Sequence, residues 1–290
     1  MNKILVTGAN GQVGMELRQI SSDANSLKYI FYNSSEWDIT DEDQCKRILL
    51  EESPQILINL AAYTKVDLAE KEPELCFRVN SKAPQFLAAL SNAHGIKMIH
   101  ISSDYVFHAL QGPPIDTKQT LNPAGVYAHS KARAESFVLE SNPSAIIVRS
   151  SWIYSSFGHN FVKTMIALSK SHSEIKVVND QIGSPTYAGD LANFLNTLCL
   201  KLAINKDYTY PNVLHYANRG AVSWFDFAKK IFELIQQNTR VIPISTEEFN
   251  APAPRPRYSV LDCSETEHIF NIRIPEWQDS LKSCISKMNF

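Results

Sequence analysis

The chain has 290 residues, 44% of them apolar, and carries 28 lysines and arginines against 30 aspartates and glutamates, for a formal net charge of -2. Such a length and apolar content suit one large α/β unit, or a nucleotide domain with a smaller lobe, and exclude a disordered or fibrous chain. With no dense run of lysine or arginine, the sequence argues against general affinity for nucleic acid or an anionic membrane, while a few local arginines remain available to hold a nucleotide-linked anion.

The first apolar run, Lys3 to Val6, leads into Thr7-Gly8-Ala9-Asn10-Gly11-Gln12-Val13-Gly14 and then into a segment that reads as a helix. A glycine turn between strand and helix lets backbone N–H groups and the positive end of the helix dipole approach a pyrophosphate without an intervening Cβ. The G-x-x-G-x-x-G spacing differs from the commoner G-x-G-x-x-G, and the position after a strand is what supports the dinucleotide reading. A second run, Tyr29 to Tyr32, ends in the neutral stretch Asn33-Ser34-Ser35. Without an acid to bind the ribose hydroxyls and repel a 2′-phosphate, this end admits NADPH and leaves NADH open.

Further short apolar runs follow at Gln55 to Leu60, Lys97 to Ser102 and Ala145 to Arg149, with helical spacing over Asp41 to Glu52 and Pro84 to Ala93. Alternation of this kind predicts an α/β fold, a doubly wound parallel sheet covered on both faces. The strand from Lys97 runs into a hydroxyl cluster, Ser102-Ser103-Asp104, and the carboxyl ends of parallel strands line the ligand crevice. A loop over Phe107 to Pro123, rich in Pro, Gly, Thr and Gln, then leads to Tyr127 and Lys131, one helical turn apart. Tyr127 is a candidate proton donor, Lys131 its electrostatic partner, and Ser103 a hydroxyl that reaches the same substrate oxygen.

Beyond residue 150 the pattern loosens into a predicted helix at Asn160 to Ser169, a short run at Val177-Val178, and helices at Gly189 to Leu202 and Ser223 to Gln236, followed by a proline-rich segment from Ala251 to Pro256. We read residues 1–150 as a dinucleotide-binding domain and residues 151–290 as mainly a substrate-binding lobe, with some elements returning to the main sheet. The five cysteines are far apart and odd in number, as expected of reduced thiols in cytoplasm rather than a disulfide framework. The eight histidines show no metal-ligand spacing, and no G-x-S-x-G elbow supports a serine nucleophile. His129 reads as a surface or cleft-rim residue. Asn80 reads as a buried structural amide, with a water relay as its alternative role. No leader pattern opens the chain and no apolar run is long enough for a bilayer, so a cytoplasmic protein is expected.

Taken together, the glycine turn, Trp37-Asp38-Ile39-Thr40-Asp41, Asn59-Leu60-Ala61-Ala62-Tyr63-Thr64, Val66-Asp67-Leu68-Ala69-Glu70, Ser102 to Phe107, Tyr127 with Lys131, Arg149 to Tyr154, Asp180 to Thr186 and Arg255-Pro256 run nearly end to end. In these motifs the chain resembles the extended short-chain dehydrogenase/reductase superfamily and, within it, the dTDP-4-dehydrorhamnose reductase family. The resemblance implies reduction of the 4-keto group of a dTDP-linked 6-deoxy sugar, giving dTDP-L-rhamnose for polysaccharide. It implies that Gly8, Asn10, Gly11, Gln12 and Val13 hold the pyrophosphate, that Asp38 and Ile39 flank the adenine, and that Ala61, Ala62 and Tyr63 lie along the dinucleotide. Ser103, Tyr127 and Lys131 would form the catalytic set, with Tyr127 and Lys131 also touching the cofactor, and Ser103, Asp104 and Trp152 would contact the sugar nucleotide. It further implies a homodimer, and a Mg²⁺ at a dimer contact near Glu16. The sequence departs from the family pattern at Ala128-His129, where glycine and lysine are common, at His108-Ala109, where Asp-Gly is common, and at Ser103, where threonine is frequent. A sugar-nucleotide epimerase or dehydratase, and a non-catalytic subunit like the regulatory subunit of methionine adenosyltransferase, are the rival readings.

Overall fold

A computed structural model describes residues 2–21, 27–109, 111–205 and 210–288. Five strands from the first half, β1 (Asn2–Thr7), β2 (Leu27–Phe31), β3 (Ile56–Asn59), β4 (Lys97–Ser103) and β5 (Ile146–Ser150), form a parallel sheet with Val213–His215 added beside β5. The order across the six strands is β2, β1, β3, β4, β5 and Val213–His215. All the pairings are parallel. The five apolar runs in the sequence thus coincide with the five strands, and the doubly wound expectation holds.

Alternate side chains of the strands feed cores on opposite faces. Ile4 and Val6 of β1 pack with Val13 and Leu17 of the following helix α1 (Gln12–Ser21), and with Leu191, Leu195 and Leu198 of the long helix Ala188–Ile204. Leu5 faces the other way, onto Ile48, Leu49, Leu87 and Trp37. Burying each of these aliphatic side chains contributes about 1.5–3 kcal/mol, which is why a two-sided sheet needs runs of apolar residues rather than alternation. The helix Ala188–Ile204 and the strand Val213–His215 both come from beyond residue 150 and join this unit.

A separate core of Tyr154, Val162, Phe227, Trp277 and Leu281 holds most of the remaining C-terminal elements, whereas Phe270 and Ile274 pack in the core of the main sheet. Within it, Glu174–Val178 pairs in parallel with Arg240–Ile244, and the amphipathic helix Trp224–Leu234 is capped by Ser223, whose hydroxyl accepts from Asp226 N at 3.0 Å.

The chain leaves β1 toward β2 on one side, while β3 lies on the other. That reversal opens a crevice at the carboxyl ends of β1 and β3, where open α/β sheets bind ligands. Gly8 sits there with φ +65°, and a Cβ on it would lie 2.7 Å from Ala61 N, so only glycine lets the two loops meet.

Candidate active site

At the dinucleotide end, Gly11 N donates to Gly8 O at 2.9 Å, and Gly14 packs so closely that a Cβ would meet the Ala9 and Gly8 carbonyls at 2.7 Å. Asn10 and Gly11 are exposed at the rim, whereas Val13 is buried in the core, leaving its backbone for any ligand. Gln12 turns toward the C-terminal lobe, donating to Ile153 O at 3.3 Å and accepting from Asn160 Nδ2 at 2.9 Å. Ala61 N donates to Thr7 Oγ1 at 3.2 Å, and Asn80 clamps Tyr63 by accepting from its N–H at 2.8 Å and donating to its carbonyl at 3.0 Å. These groups fit a bound dinucleotide: a glycine turn free of Cβ atoms, a helix N-terminus, and a loop after β3 held in register.

Asp38 lies exposed with its carboxylate accepting from Thr40 N and Oγ1 at 2.9 and 2.8 Å, while the Ile39 side chain is only 5% exposed within the core under β3. Ile39 therefore offers only backbone to the crevice. The end of β2, neutral in sequence, is less so in space. Glu36, which follows that neutral stretch, folds back and accepts from Asn33 N at 2.9 Å.

At the other end of the crevice, β4 delivers Ser103 to the start of a 3-10 turn. Ser103 Oγ accepts from Tyr105 N at 3.2 Å and donates to Asp104 Oδ1 at 2.9 Å. The helix Val126–Ser141 runs alongside and carries Tyr127, whose phenol lies near the Ser103 hydroxyl. Burial pushes the phenol above its ordinary value and the Ser103 hydroxyl pulls it down. Asp104, wholly interior, is driven up to about 6 by burial, against the pull of the Ser259 and Ser103 hydroxyls. Lys131 is 2% exposed, and its Nζ donates to the Ile101 carbonyl of β4 at 2.6 Å. Burial lowers its ammonium to about 8, with the Glu135 carboxylate one turn on acting in the opposite sense. Tyr127 and Ser103 thus lie together at the end of β4, and Lys131 is tethered to the strand beneath them.

Several further residues support this cleft, Glu135 and Arg149 among them without any signal in the sequence. Asn80 lies in a π-helical turn, Arg78–Lys82, a distortion frequent at functional sites. Besides Tyr63 it donates to Ser130 Oγ at 3.0 Å, and Ser130 in turn donates to Tyr127 O at 2.7 Å. This is the structural amide anticipated above, joining the loop after β3 to the helix bearing Tyr127. Glu135 holds Arg149 bidentately, at 2.6 to 3.1 Å, and Arg149 donates to Thr117 O at 3.3 Å, which pins the loop after Phe107. That loop is further bound to the C-terminal segment, Tyr258 N donating to Ala109 O at 3.1 Å and Ile115 N to Val260 O at 2.8 Å.

Trp152 forms a wall with φ +47°, its ring stacked on Trp224. Gly183 lies so near that a Cβ there would sit 2.5 Å from Trp152 Cε2. His129 is exposed at the rim of a hollow beside Glu70 and Gly125. Glu16, where the resemblance implies a metal, is buried, and its carboxylate accepts from Ser155 Oγ at 2.6 Å and Tyr187 OH at 3.2 Å. Among the described residues no group of three or more His, Cys, Asp or Glu side chains gathers around a point that would hold an ion. The Glu16 surroundings therefore do not fit a Mg²⁺ site within one chain. No helix among the described residues is long and apolar enough to cross a membrane.

Comparison with known proteins matches residues 1–290 to the family described as the RmlD substrate binding domain. A dTDP-4-dehydrorhamnose reductase of Aggregatibacter actinomycetemcomitans is 36% identical, with 98% of each chain covered. Among solved structures, a dTDP-4-dehydrorhamnose reductase of Clostridium acetobutylicum superposes with a TM-score of 0.90 at 40% identity, covering 98% of each chain. A dTDP-4-dehydrorhamnose reductase of Bacillus anthracis, solved in complex with NADP, gives a TM-score of 0.91 at 38% identity, covering 99% of this chain and 100% of that one.

Proposed function

Because this chain belongs to the RmlD substrate binding domain family, we propose that it reduces the 4-keto group of dTDP-4-dehydro-L-rhamnose to give dTDP-L-rhamnose with NADPH, NADH also being admitted. The observation that carries this reading is the meeting of Ser103 and Tyr127 over buried Lys131 at the end of β4, in the same crevice as the glycine turn. The NADP bound by the B. anthracis relative supports the cofactor. Gly8, Asn10, Gly11, Gln12 and Val13 hold its pyrophosphate, Asp38 and Ile39 border the adenine, and Ala61, Ala62 and Tyr63 line its path. Residues 1–150 supply most of this surface, and residues 151–290 mainly that for the sugar nucleotide. The reduced nicotinamide, when bound, supplies the hydride.

The chain's own residues manage the proton. As charge develops on the C4 oxygen, Tyr127 donates its phenolic proton to it, general acid catalysis by a positioned phenol. Ser103 orients the oxygen through a hydrogen bond that strengthens as the charge grows. The Lys131 ammonium, fixed by Ile101 O, supplies a positive field that favours the phenolate left behind and reaches the nicotinamide ribose. Asp104 and Trp152 contact the sugar nucleotide. The five described cysteines are free and buried, which suits reducing cytoplasm, where we place the reaction.

Tyr127→Phe tests the assignment. Dinucleotide binding, followed by nicotinamide fluorescence, should be retained while turnover falls by about 10²–10⁴-fold, the typical contribution of a positioned general acid. Full turnover in that variant would remove Tyr127 from the reaction.

A further inference from the structure

The helix that carries Tyr127 starts without a cap of its own. Its first residue follows Gly125, at φ +86°, and no side chain from that position accepts from the helix. Instead Val126 N donates to Glu70 Oε1 at 2.8 Å, across 56 positions of sequence. The carboxylate occupies the place a capping side chain would fill, since a Cβ on residue 125 would lie 2.8 Å from that same oxygen and 3.0 Å from Pro254 Cδ.

Asp67, on the same short turn, grips the proline-rich segment. Its Oδ2 accepts from Arg255 Nη2 at 2.8 Å and its Oδ1 from Ala253 N at 3.2 Å. Arg255 donates in turn to Ala253 O at 3.0 Å, and its guanidinium lies near the Tyr105 phenol, on which its charge acts. Tyr105 stands edge-on to Tyr127, with ring centroids 5.4 Å apart and planes at 87°. Two carboxylates from the motif Val66-Asp67-Leu68-Ala69-Glu70 therefore act on Tyr127 by separate routes, one through the backbone of the preceding Val126 and one through the ring of Tyr105.

We infer that Glu70 and Asp67 are positioning residues, a bracket that sets the first turn of the helix Val126–Ser141 and with it the aim of Tyr127. This inference rests on the reading of Tyr127 as the proton donor. Loss of a cap acts on the first turn only. The rest of this helix is held by its buried Ala128, Ala132, Ala134 and Val138 and by the Lys131 hydrogen bond to β4. Removing Glu70 should thus leave the fold in place and loosen the one turn where a small displacement is costly to catalysis.

The test compares Glu70→Ala, Glu70→Gln, Asp67→Asn and Tyr127→Phe, together with the Glu70→Ala/Tyr127→Phe double variant, by steady-state kinetics with dTDP-4-dehydro-L-rhamnose and by NADPH titration. Glu70→Ala should lower kcat by about tenfold or more, with KM and NADPH affinity changed less than about twofold. Glu70→Gln should recover most of the rate, because its amide oxygen still accepts from Val126 N. Asp67→Asn should show the same split between kcat and KM, and it serves should Glu70→Ala fail to fold. In the Tyr127→Phe background Glu70→Ala should add no further loss, as coupling through one residue requires. An unchanged kcat in Glu70→Ala beside a collapse in Tyr127→Phe would overturn the bracket alone, as would an equal fall in both backgrounds or a glutamine variant no better than alanine. Full turnover in Tyr127→Phe would overturn the proton-donor reading itself.

Discussion

Trp152 lies flat on Trp224, with ring centroids 3.5 Å apart and planes within 8° of parallel. Trp152 holds φ +47°, a left-handed conformation that costs a residue with a bulky side chain about 1–3 kcal/mol. The stack and the space left by Gly183 offset that cost, so Trp224 fixes the wall against which we place the sugar nucleotide. Trp224→Leu is expected to raise KM for the sugar nucleotide about tenfold, a loss of about 1.4 kcal/mol, with NADPH affinity unchanged. Gly183→Ala should act alike, because its methyl would enter the indole. Steady-state kinetics with each substrate varied in turn decides this, and equal losses for both substrates would show that the stack supports the whole fold instead.

Lys131 provides a pH signature with opposite signs for activity and stability. Its folded value of about 8 lies below the ordinary 10.5, so between these pH values the unfolded chain holds a proton that the folded chain has released. Its contribution to stability therefore rises with pH through that window, while the ammonium needed beside Tyr127 disappears. At neutral pH its buried charge costs about 3 kcal/mol, from about 1.4 kcal/mol per unit. Lys131→Met should lose turnover yet resist urea better than the parent protein at pH 7. That advantage should shrink by pH 10, and an advantage independent of pH would contradict the assignment.

Asp104 gives the acid-side counterpart. Burial raises it from 3.8 to about 6, so between these values the folded chain holds a proton that the unfolded chain has lost, and stability falls as pH rises through the window. Asp104→Asn, whose amide oxygen still accepts from Ser103, should be more stable than the parent at pH 7 by up to about 3 kcal/mol, and converge with it near pH 4. Urea midpoints at the two pH values measure the difference.

The Glu135–Arg149 pair is buried at both ends, each side chain 4% exposed. Glu135→Gln would leave the guanidinium uncompensated next to His215, itself held neutral by burial and by Arg149, at about 4. A loss of about 3–5 kcal/mol is expected, as for other buried pairs deprived of one partner. Chemical denaturation should register it, and a change below about 1 kcal/mol, the level of an exposed pair, would mean that solvent reaches the site.

Much of this architecture was legible because it is local. Each of the five apolar runs became a strand, and the glycine turn became the junction of β1 and α1 because only glycine tolerates the approach of Ala61 to Gly8. Ser103 and Tyr127 could be placed together because one ends a parallel strand and the other opens the helix that follows the next loop. The remaining features depend on contacts that periodicity does not encode. Lys131 was expected to act on the phenol electrostatically, and its further tie to Ile101 O, made by the packing of its helix on β4, is a contact that spacing does not encode. The Glu70 cap on Val126 and the Trp152–Trp224 stack both join residues whose spacing in sequence is uninformative about their contact. Glu16 likewise accepts from the hydroxyls of Ser155 and Tyr187, residues far from it in the chain.

The central claim is the reduction itself. Purified protein mixed with NADPH and enzymatically generated dTDP-4-dehydro-L-rhamnose should lose absorbance at the reduced-nicotinamide band only when the sugar nucleotide is present, and the product should be dTDP-L-rhamnose in equal molar amount to the NADPH consumed. Tight binding of NADPH with no substrate-dependent oxidation, or sugar isomerised without net NADPH consumption, would contradict the account.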